Sequence, residues 1–327
     1  MRGEAYSSVT IVPMSPERAQ PVMAVVGSLN IDLVAYTSRV PNAGETVVGD
    51  RFQMGFGGKG ANQAVMAARL GARVAMVGAL GDDVYAGMTL DNLDRQGVDA
   101  THVARVPGSS GVAPIWVEPD GTNRIIVVGG ANDAVDPEAA AGAIGSMDTV
   151  DVVIGQLEIP QRVTLSAFRV ARERGAVTIL NPAPAAPLDP ELIGVSHWLI
   201  PNETEFAILA GIEPLEPGDD SAIAAYARRV SPRLLLTLGS RGAALVSAEG
   251  AVERVPATRV QAMDTTGAGD AFVGAFAVGL AAGLSERAAV RLGIACASDS
   301  VTRAGTQSSF ASREVAAMLL SEIRAEA

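Results

Sequence analysis

Residues 271–284 read AFVGAFAVGLAAGL, a helix-forming run that is apolar nearly all the way round. A helix without a polar face has no side to turn to water, so it has to lie inside the protein with other elements packed around it. The chain enters it through Asp264-Thr-Thr-Gly-Ala-Gly-Asp270, a small Gly-rich turn. That turn brings the unpaired N–H groups of a helix start, and the positive end of its dipole, into a sheltered place. Gly267, Ala268 and Gly269 carry almost no side chain to keep an anion from those groups, and Asp270 puts a carboxylate in the first turn. A water-poor anion pocket with one positioned base is what phosphoryl transfer to a hydroxyl needs. The same residues also fit a plainer role, an acidic residue favouring its own helix start behind a glycine turn.

Burying such a helix takes a large interior, and the composition supplies one. The chain has 327 residues, 48% hydrophobic but only 4% aromatic, with Ala, Val, Gly and Leu prominent. That balance favours close-packed helices on a sheet. The formal net charge of −11 argues against nonspecific binding to nucleic acid, which needs Lys and Arg to displace counterions. An acidic chain that takes an anionic ligand must hold it with local N–H groups or a bound cation, which suits a metal–nucleotide complex. A single cysteine, Cys296, excludes an intramolecular disulfide and points to a reducing compartment. It sits in LGIACAS as a small buried hydrophobe. His102 and His197 have no metal-ligand spacing, which excludes a zinc site or a histidine-based triad. No apolar run reaches the roughly 18 residues that cross a bilayer. Residues 1–21 read as a loose polar tail without a signal-peptide core, ahead of one unit over 22–327. The expectation is a cytoplasmic protein with no membrane partner.

Strand and helix patterns alternate along that unit. VMAVVGS (22–28) reads as a buried strand, and ANQAVMAARLGA (61–72) as a helix closed by Gly71. RVAMVGALG and YAGMTLDNLDRQG repeat the pair. DVVIGQ (151–156), AVTILN (176–181), SHWLIPN (196–202) and RLLLTLG (233–239) are further short apolar runs separated by helical stretches. Repeated βα order predicts a largely parallel sheet with helices on both faces. Two segments, 33–56 and 111–130, instead alternate apolar with polar residues around Pro-Asn-Ala-Gly and Pro-Asp-Gly. Both predict β-hairpins, the second with Asp120-Gly121 at its tip. Inserted hairpins serve either as a lid that keeps water from a site or as a surface flap.

Four more motifs bear on chemistry. Gly55-Phe-Gly57-Gly58-Lys59-Gly60 formally matches the dinucleotide fingerprint, but that belongs in the first βα turn and this one follows a hairpin. Its glycines are expected to let backbone approach a small polar ligand, with Lys59 and Asn62 supplying donors. Asn30 and Asp32 project to one side by strand alternation and either grip adjacent sugar hydroxyls or form an Asx turn. Asn202 and Glu205 fit a capping box, or else help hold a metal–phosphate through water. Thr237-Leu-Gly-Ser-Arg-Gly242 is either a plain turn or a nucleotide loop in which Arg241 faces a phosphate.

Taken together, GSLNID, GETVVGDRFQMGFGGKGANQAV, VVGGAN, GQLEIP, LNPAPA, PNETE, TLGSRG, DTTGAGDAF and AGTQSS, in that order over about residues 22–310, closely resemble the ribokinase family of sugar kinases. The resemblance implies a three-layer α/β/α sandwich with a mainly parallel central sheet and a small β-sheet lid that forms a homodimer contact. It implies that Asn30, Asp32, Gly58, Lys59, Asn62 and Glu158 bind the pentose, and that Asn202, Thr237, Gly239, Ser240 and Gly242, with Gly269, contact ATP. Gly267, Ala268 and Gly269 would form the anion hole and Asp270 would be the catalytic base. Mg²⁺ would be held through water by Glu205. A monovalent cation, potassium in relatives, would lie at Asp264, Thr266, Ser300, Arg303, Gly305 and Ser309.

The implied reaction moves the γ-phosphoryl group of Mg-ATP to the 5-hydroxyl of D-ribose, giving ribose 5-phosphate. SSGVAPIW (109–116) is more similar to deoxyribokinases, whereas the polar Asn30 suits a sugar with a full set of hydroxyls, so D-ribose is the expected acceptor. Ile294 stands where several relatives place His or Asn near the adenine, which puts one base contact in doubt. Two readings from other classes stay open: an NAD(P)-binding oxidoreductase, resting on GxGxxG, and a non-catalytic sugar sensor, which has no use for Asp270.

Overall fold

Alternation along the first strand sorts the interior into two halves. In β1 (Val22–Val26), Met23 and Val25 enter one hydrophobic cluster while Ala24 and Val26 enter another, and all four are fully buried. A strand covered on both faces can sit only in the middle of a sheet layered by helices. The computed structural model describes residues 20–213, 215, 220–247 and 249–326. Of the expected tail, only Gln20 and Pro21 fall within them.

After β1 the chain forms β2 (Asn30–Tyr36), β3 (Arg51–Gly57), α1 (Lys59–Arg69), β4 (Arg73–Leu80), α2 (Val84–Gln96) and β5 (Val98–Arg105). Next come β6 (Gly111–Val117), β7 (Asn123–Ile125), α3 (Pro137–Ser146), β8 (Val152–Gly155), α4 (Gln161–Glu173) and β9 (Val177–Leu180). The third stretch holds α5 (Pro190–Val195), β10 (Trp198–Leu199), α6 (Glu203–Ala210), α7 (Ser221–Ala227), β11 (Arg233–Thr237), β12 (Ala243–Val246) and β13 (Val252–Val255). The chain ends with α8 (Ala268–Ala281), α9 (Glu286–Ser300) and α10 (Arg313–Ala325).

Nine strands form the main sheet in the order β13-β12-β11-β10-β9-β8-β1-β4-β5. It is parallel except where β12 turns back on β11 and β13 on β12. Residues of α1, α2, α8, α9 and α10 fill the cluster on one face, and those of α3 to α7 the cluster on the other. The expected α/β/α sandwich is therefore present. Among the described residues no helix is long and apolar enough to cross a membrane.

As its sequence requires, α8 is the most enclosed helix, with every residue from Asp270 to Ala281 buried. Gly274 brings α1 onto it: a Cβ there would stand 2.7 Å from the Gln63 carbonyl oxygen. That close approach lays the start of α1 across the start of α8. The helix α1 itself ends at Arg69, and Gly71, at φ +89°, turns the chain away one residue past the cap at Leu70.

A second sheet, β3-β2-β6-β7, stands apart from the main one. Both hairpins form, and the turn at Asp120-Gly121 closes with a Glu118 N–H bond to the Thr122 carbonyl at 2.9 Å. The first is longer than the expected 33–56, because pairing starts at Asn30 opposite Gly57. Hence Asn30 and Asp32 lie inside a strand, and the Asx-turn alternative falls. The two hairpins join through β2 and β6, which run parallel with Asn30 level with Gly111. One face of this sheet carries Asn30 and Asp32. The other carries Leu33, Ala35, Phe52, Met54 and Trp116, with Phe52 66% and Met54 38% exposed.

Candidate active site

Polar residues collect just beyond the carboxyl ends of the parallel strands, where open α/β sheets place their ligand sites. Ser28 follows β1, Gln156 and Glu158 follow β8, Asn181 follows β9, Asn202 follows β10 and Thr237 ends β11. The floor is made by α1 and α8. Asp270, in the first turn of α8, is 6% exposed, and each of its oxygens accepts one amide donor from α1. Asn62 Nδ2 reaches Oδ2 at 2.9 Å and Gln63 Nε2 reaches Oδ1 at 3.0 Å.

Those two amides are themselves oriented from behind. Gln156 Nε2 donates to Gln63 Oε1 at 2.6 Å, and Gln63 Nε2 also reaches Asn181 Oδ1 at 3.1 Å. Gln307 Nε2 donates to Asn62 Oδ1 at 3.1 Å, and Gln307 Oε1 accepts from Asn92 Nδ2 at 2.9 Å. Gln63 and Gln156 are both fully buried, in a chain of amides that ends on the carboxylate. Sequence reasoning did not reach Gln63, Gln156, Asn181, Gln307 or Asn92. The available signal was an amide at the end of each apolar strand, or inside an apolar helix, where a buried polar group needs a partner.

Beside Asp270 the turn at Gly267, φ +77°, starts α8. Ala268 N–H bonds the Thr265 carbonyl at 3.2 Å, while the N–H groups of Gly267, Gly269 and Asp270 have no backbone partner among the described residues. Of the Gly267-Ala268-Gly269 trio, two N–H groups are thus free of backbone partners among the described residues and the third is engaged. Asp264, at the entry to the turn, accepts from Thr266 N–H at 2.9 Å and Gly305 N–H at 2.8 Å. Burial alone would raise its carboxyl, but these backbone donors hold it below the usual range.

Ser300, Arg303, Gly305 and Ser309 lie in the segment packed on that turn, since Met263 and Asp264 N–H groups both bond the Val301 carbonyl. The guanidinium of Arg303 pairs with Asp299 and donates to the Ser309 carbonyl at 2.7 Å. The Arg303 side chain is therefore committed, and the one oxygen of this residue is its backbone carbonyl.

Lys59 begins α1 among carboxylates. Burial pushes its ammonium down, but the charges of Asp270, Glu158 and Glu205 outweigh that and hold it above its ordinary value. Glu158 Oε2 accepts from Ser28 Oγ at 2.6 Å and from Lys59 N–H at 3.0 Å. Two glycines of GGKG, Gly58 and Gly60, press on the protein's own backbone, and Gly57 presses on the Asp32 carboxylate. A Cβ at Gly58 would stand 2.7 Å from Asn30 N, one at Gly60 2.6 Å from Ser28 N, and one at Gly57 2.2 Å from Asp32 Oδ1.

On the small sheet, Asp32 Oδ2 accepts from Thr306 Oγ1 at 3.1 Å. Burial, against that hydrogen bond and helped by the nearby charges of Glu158 and Asp270, lifts its carboxyl to about 6. Asn30 accepts from Asn132 Nδ2 at 2.7 Å. A cavity of about 260 Å³ reaches Asp32 and Thr306 from the side of Arg69, Asn92 and Gln96, and does not reach Asp270.

At the far side, Asn202 and Glu205 form the capping box: Asn202 Oδ1 accepts from Glu205 N–H and Glu205 Oε2 accepts from Asn202 N–H, both at 2.8 Å. Glu205 Oε1 has no partner among the described residues. Burial raises the Glu205 carboxyl above its ordinary value, although the Asn202 hydrogen bond and Lys59 pull it down. Thr237 N–H bonds the Pro201 carbonyl at 3.0 Å, so Asn202, Thr237, Gly239 and Ser240 share one rim. One expectation changes there, and packing accounts for a second residue. Arg241 pairs with Glu203 and does not stand free for a phosphate. Gly242 is buried, and a Cβ on it would stand 2.0 Å from the Val255 carbonyl oxygen, so packing alone requires that glycine. Ile294 is a core residue, 6% exposed.

The chain matches the model of the "pfkB family carbohydrate kinase" over residues 21–313. It is 42% identical to a ribokinase of Bacillus subtilis over 300 residues, 91% of this chain and 99% of the relative. It is 40% identical to a deoxyribokinase of Salmonella typhi over 298 residues, 89% and 96% of the two chains. Among solved structures, a ribokinase from Thermotoga maritima superposes with a TM-score of 0.82 at 34% identity, covering 92% of this chain and 99% of the other. The Arabidopsis thaliana ribokinase complexed with ribose and ATP gives 0.82 at 32%, with the same coverage.

Proposed function

This chain belongs to the pfkB family of carbohydrate kinases, and within that family we propose that it transfers the γ-phosphoryl group of ATP to the primary hydroxyl of D-ribose. Membership makes it a phosphotransferase acting on a sugar, which removes the oxidoreductase and sensor alternatives. The observation that carries the residue assignment is Asp270: a buried carboxylate, gripped at both oxygens, beside open N–H groups of a buried helix start.

In this reading Asp270 takes the proton of the attacking hydroxyl, and Asn62 and Gln63 keep its oxygens aimed while the sugar arrives. The N–H groups of Gly267 and Gly269 meet the negative charge that builds on the transferring group. Lys59 adds a fixed positive charge in the same sheltered space. Asn30, Asp32, Asn62 and Glu158 would hold the sugar. Asn202, Thr237, Gly239 and Ser240 would line the nucleotide, with Gly242 keeping their loop closed.

The residues present fit magnesium held through water at Glu205, whose Oε1 remains uncommitted after capping. When bound, that ion neutralises nucleotide phosphates. A monovalent cation fits Asp264 with oxygens of Thr266, Ser300, Arg303, Gly305 and Ser309, an all-oxygen donor set carrying one carboxylate. The apolar outer face of the small sheet supports a homodimer joined lid to lid.

The test is ADP release with Mg-ATP, comparing D-ribose with 2-deoxy-D-ribose, with and without K⁺. Potassium-stimulated turnover favouring ribose is expected. A preference for deoxyribose would keep the mechanism and move the substrate, and no turnover with either sugar would overturn the proposal.

A further inference from the structure

We propose that Asn132, which contacts no substrate itself, sets the sugar specificity of this site by locking the side-chain amide of Asn30 with its NH₂ toward the pocket. The inference rests on the sugar-kinase reading above. Leu29 N–H can only donate, so the Asn132 atom 2.9 Å from it is Oδ1. Asn132 Nδ2 therefore donates, to the Leu29 carbonyl at 3.2 Å and to Asn30 at 2.7 Å. The Asn30 atom receiving that bond is Oδ1, which leaves Nδ2 on the other side of the amide. Asn132 is 1% exposed and Asn30 4%, and Asn30 Nδ2 has no partner among the described residues.

Gly111 makes the pairing possible. A Cβ at that position would stand 2.1 Å from Asn30 Oδ1 and 2.3 Å from Asn132 Nδ2. This glycine belongs to SSGVAPIW, the stretch that resembles deoxyribokinases, yet here it makes room for a polar pair suited to a more hydroxylated sugar. Its neighbour Ser110 is also accounted for locally, donating from N and Oγ to the α2 cap Asp83 at 2.7 and 2.8 Å.

The consequence is a fixed polarity. Asn30 offers only a donor and Asp32, two residues along the same strand face, offers acceptors. A preferred sugar must place a hydroxyl oxygen against Asn30, and an analogue lacking that hydroxyl leaves a buried donor unpaired, at a loss of roughly 10- to 100-fold. A hydroxyl whose one proton goes to Asp32 can only accept from Asn30, so an Asn30 amide turned to present Oδ1 would set two acceptors against one proton and weaken the hold on that hydroxyl.

Asn132→Asp tests this nearly isosterically. One carboxylate oxygen still accepts from Leu29, but the other cannot donate, so the Asn30 amide turns its NH₂ inward and presents Oδ1 to the sugar. The ratio of kcat/KM for D-ribose to that for 2-deoxy-D-ribose is expected to fall about tenfold, through the ribose KM and with no matching rise in the KM for ATP. Asn30→Leu is expected to lower the same ratio, and Asn132→Asp added to it to lower it no further. Should the Asp variant fail to fold, Asn132→Ser frees the amide and is read by the same ratio. An unchanged ratio in a folded variant, or additive effects in the pair, would reduce Asn132 to a brace for Leu29 and overturn the inference alone. A wild-type chain inert toward both sugars would instead overturn the function and the inference with it.

Discussion

Asp270 and Asn30 are buried to nearly the same degree, 6% and 4% exposed, yet they are prepared in opposite ways. On the floor formed by α1 and α8, the Asp270 carboxylate has a donor on each oxygen, and those donors are held by further amides. On the lid, Asn30 is gripped on one side only and Asp32 has a single hydroxyl on one of its oxygens. The floor is assembled before any ligand arrives. The lid keeps polar groups waiting for one, which costs stability and creates the demand for a particular sugar.

The largest effect expected from breaking that contrast is on the floor. Asp270→Asn removes the base and sets an NH₂ against an amide donor, so kcat should fall about 10³-fold or more, seen in steady-state ADP release. Gln63→Leu keeps the base but frees Oδ1 and strands the Gln156 amide. It is expected to lower kcat roughly 10- to 100-fold with little change in sugar KM, and thermal unfolding should show a loss of about 1–3 kcal/mol.

The lid should answer to pH. Asp32, lifted to about 6 mainly by burial, is ionised above that value and protonated below it. Sugar kcat/KM should therefore fall as pH drops through about 6, with a limb that Asp32→Asn abolishes. Since the folded value lies above the ordinary 3.8, the ionised carboxylate costs stability, fully above pH 6 and not at all below about 4. Asp32→Asn should accordingly gain about 1–3 kcal/mol in unfolding at pH 8 and little at pH 4. The smallest effect on chemistry is expected from Phe52→Asp on the outer lid face, which should shift sedimentation toward monomer while leaving the floor intact.

How much of this was legible in the sequence follows from how far apart the partners lie. The buried helix α8, its Gly-rich entry, the Asn202–Glu205 capping box and both hairpins were readable, because each is a local pattern. The pairing of β2 with β6, and the contacts of Asp270 with Asn62 and Gln63 across 208 and 207 residues, leave no local trace. The glycines of GGKG were only partly readable for a related reason. A residue without a side chain signals close approach, but only the fold reveals that the approaching group is the backbone of Ser28 and Asn30.

The most direct measurement is the split between kcat and sugar KM for Asp270→Asn and Asn30→Leu, made side by side with D-ribose and Mg-ATP. A preassembled floor and a waiting lid predict that Asp270→Asn loses kcat with sugar KM nearly kept. Asn30→Leu should raise sugar KM with kcat nearly kept. Turnover close to wild type in Asp270→Asn would contradict the account, because no other group described at the floor is placed to take the proton.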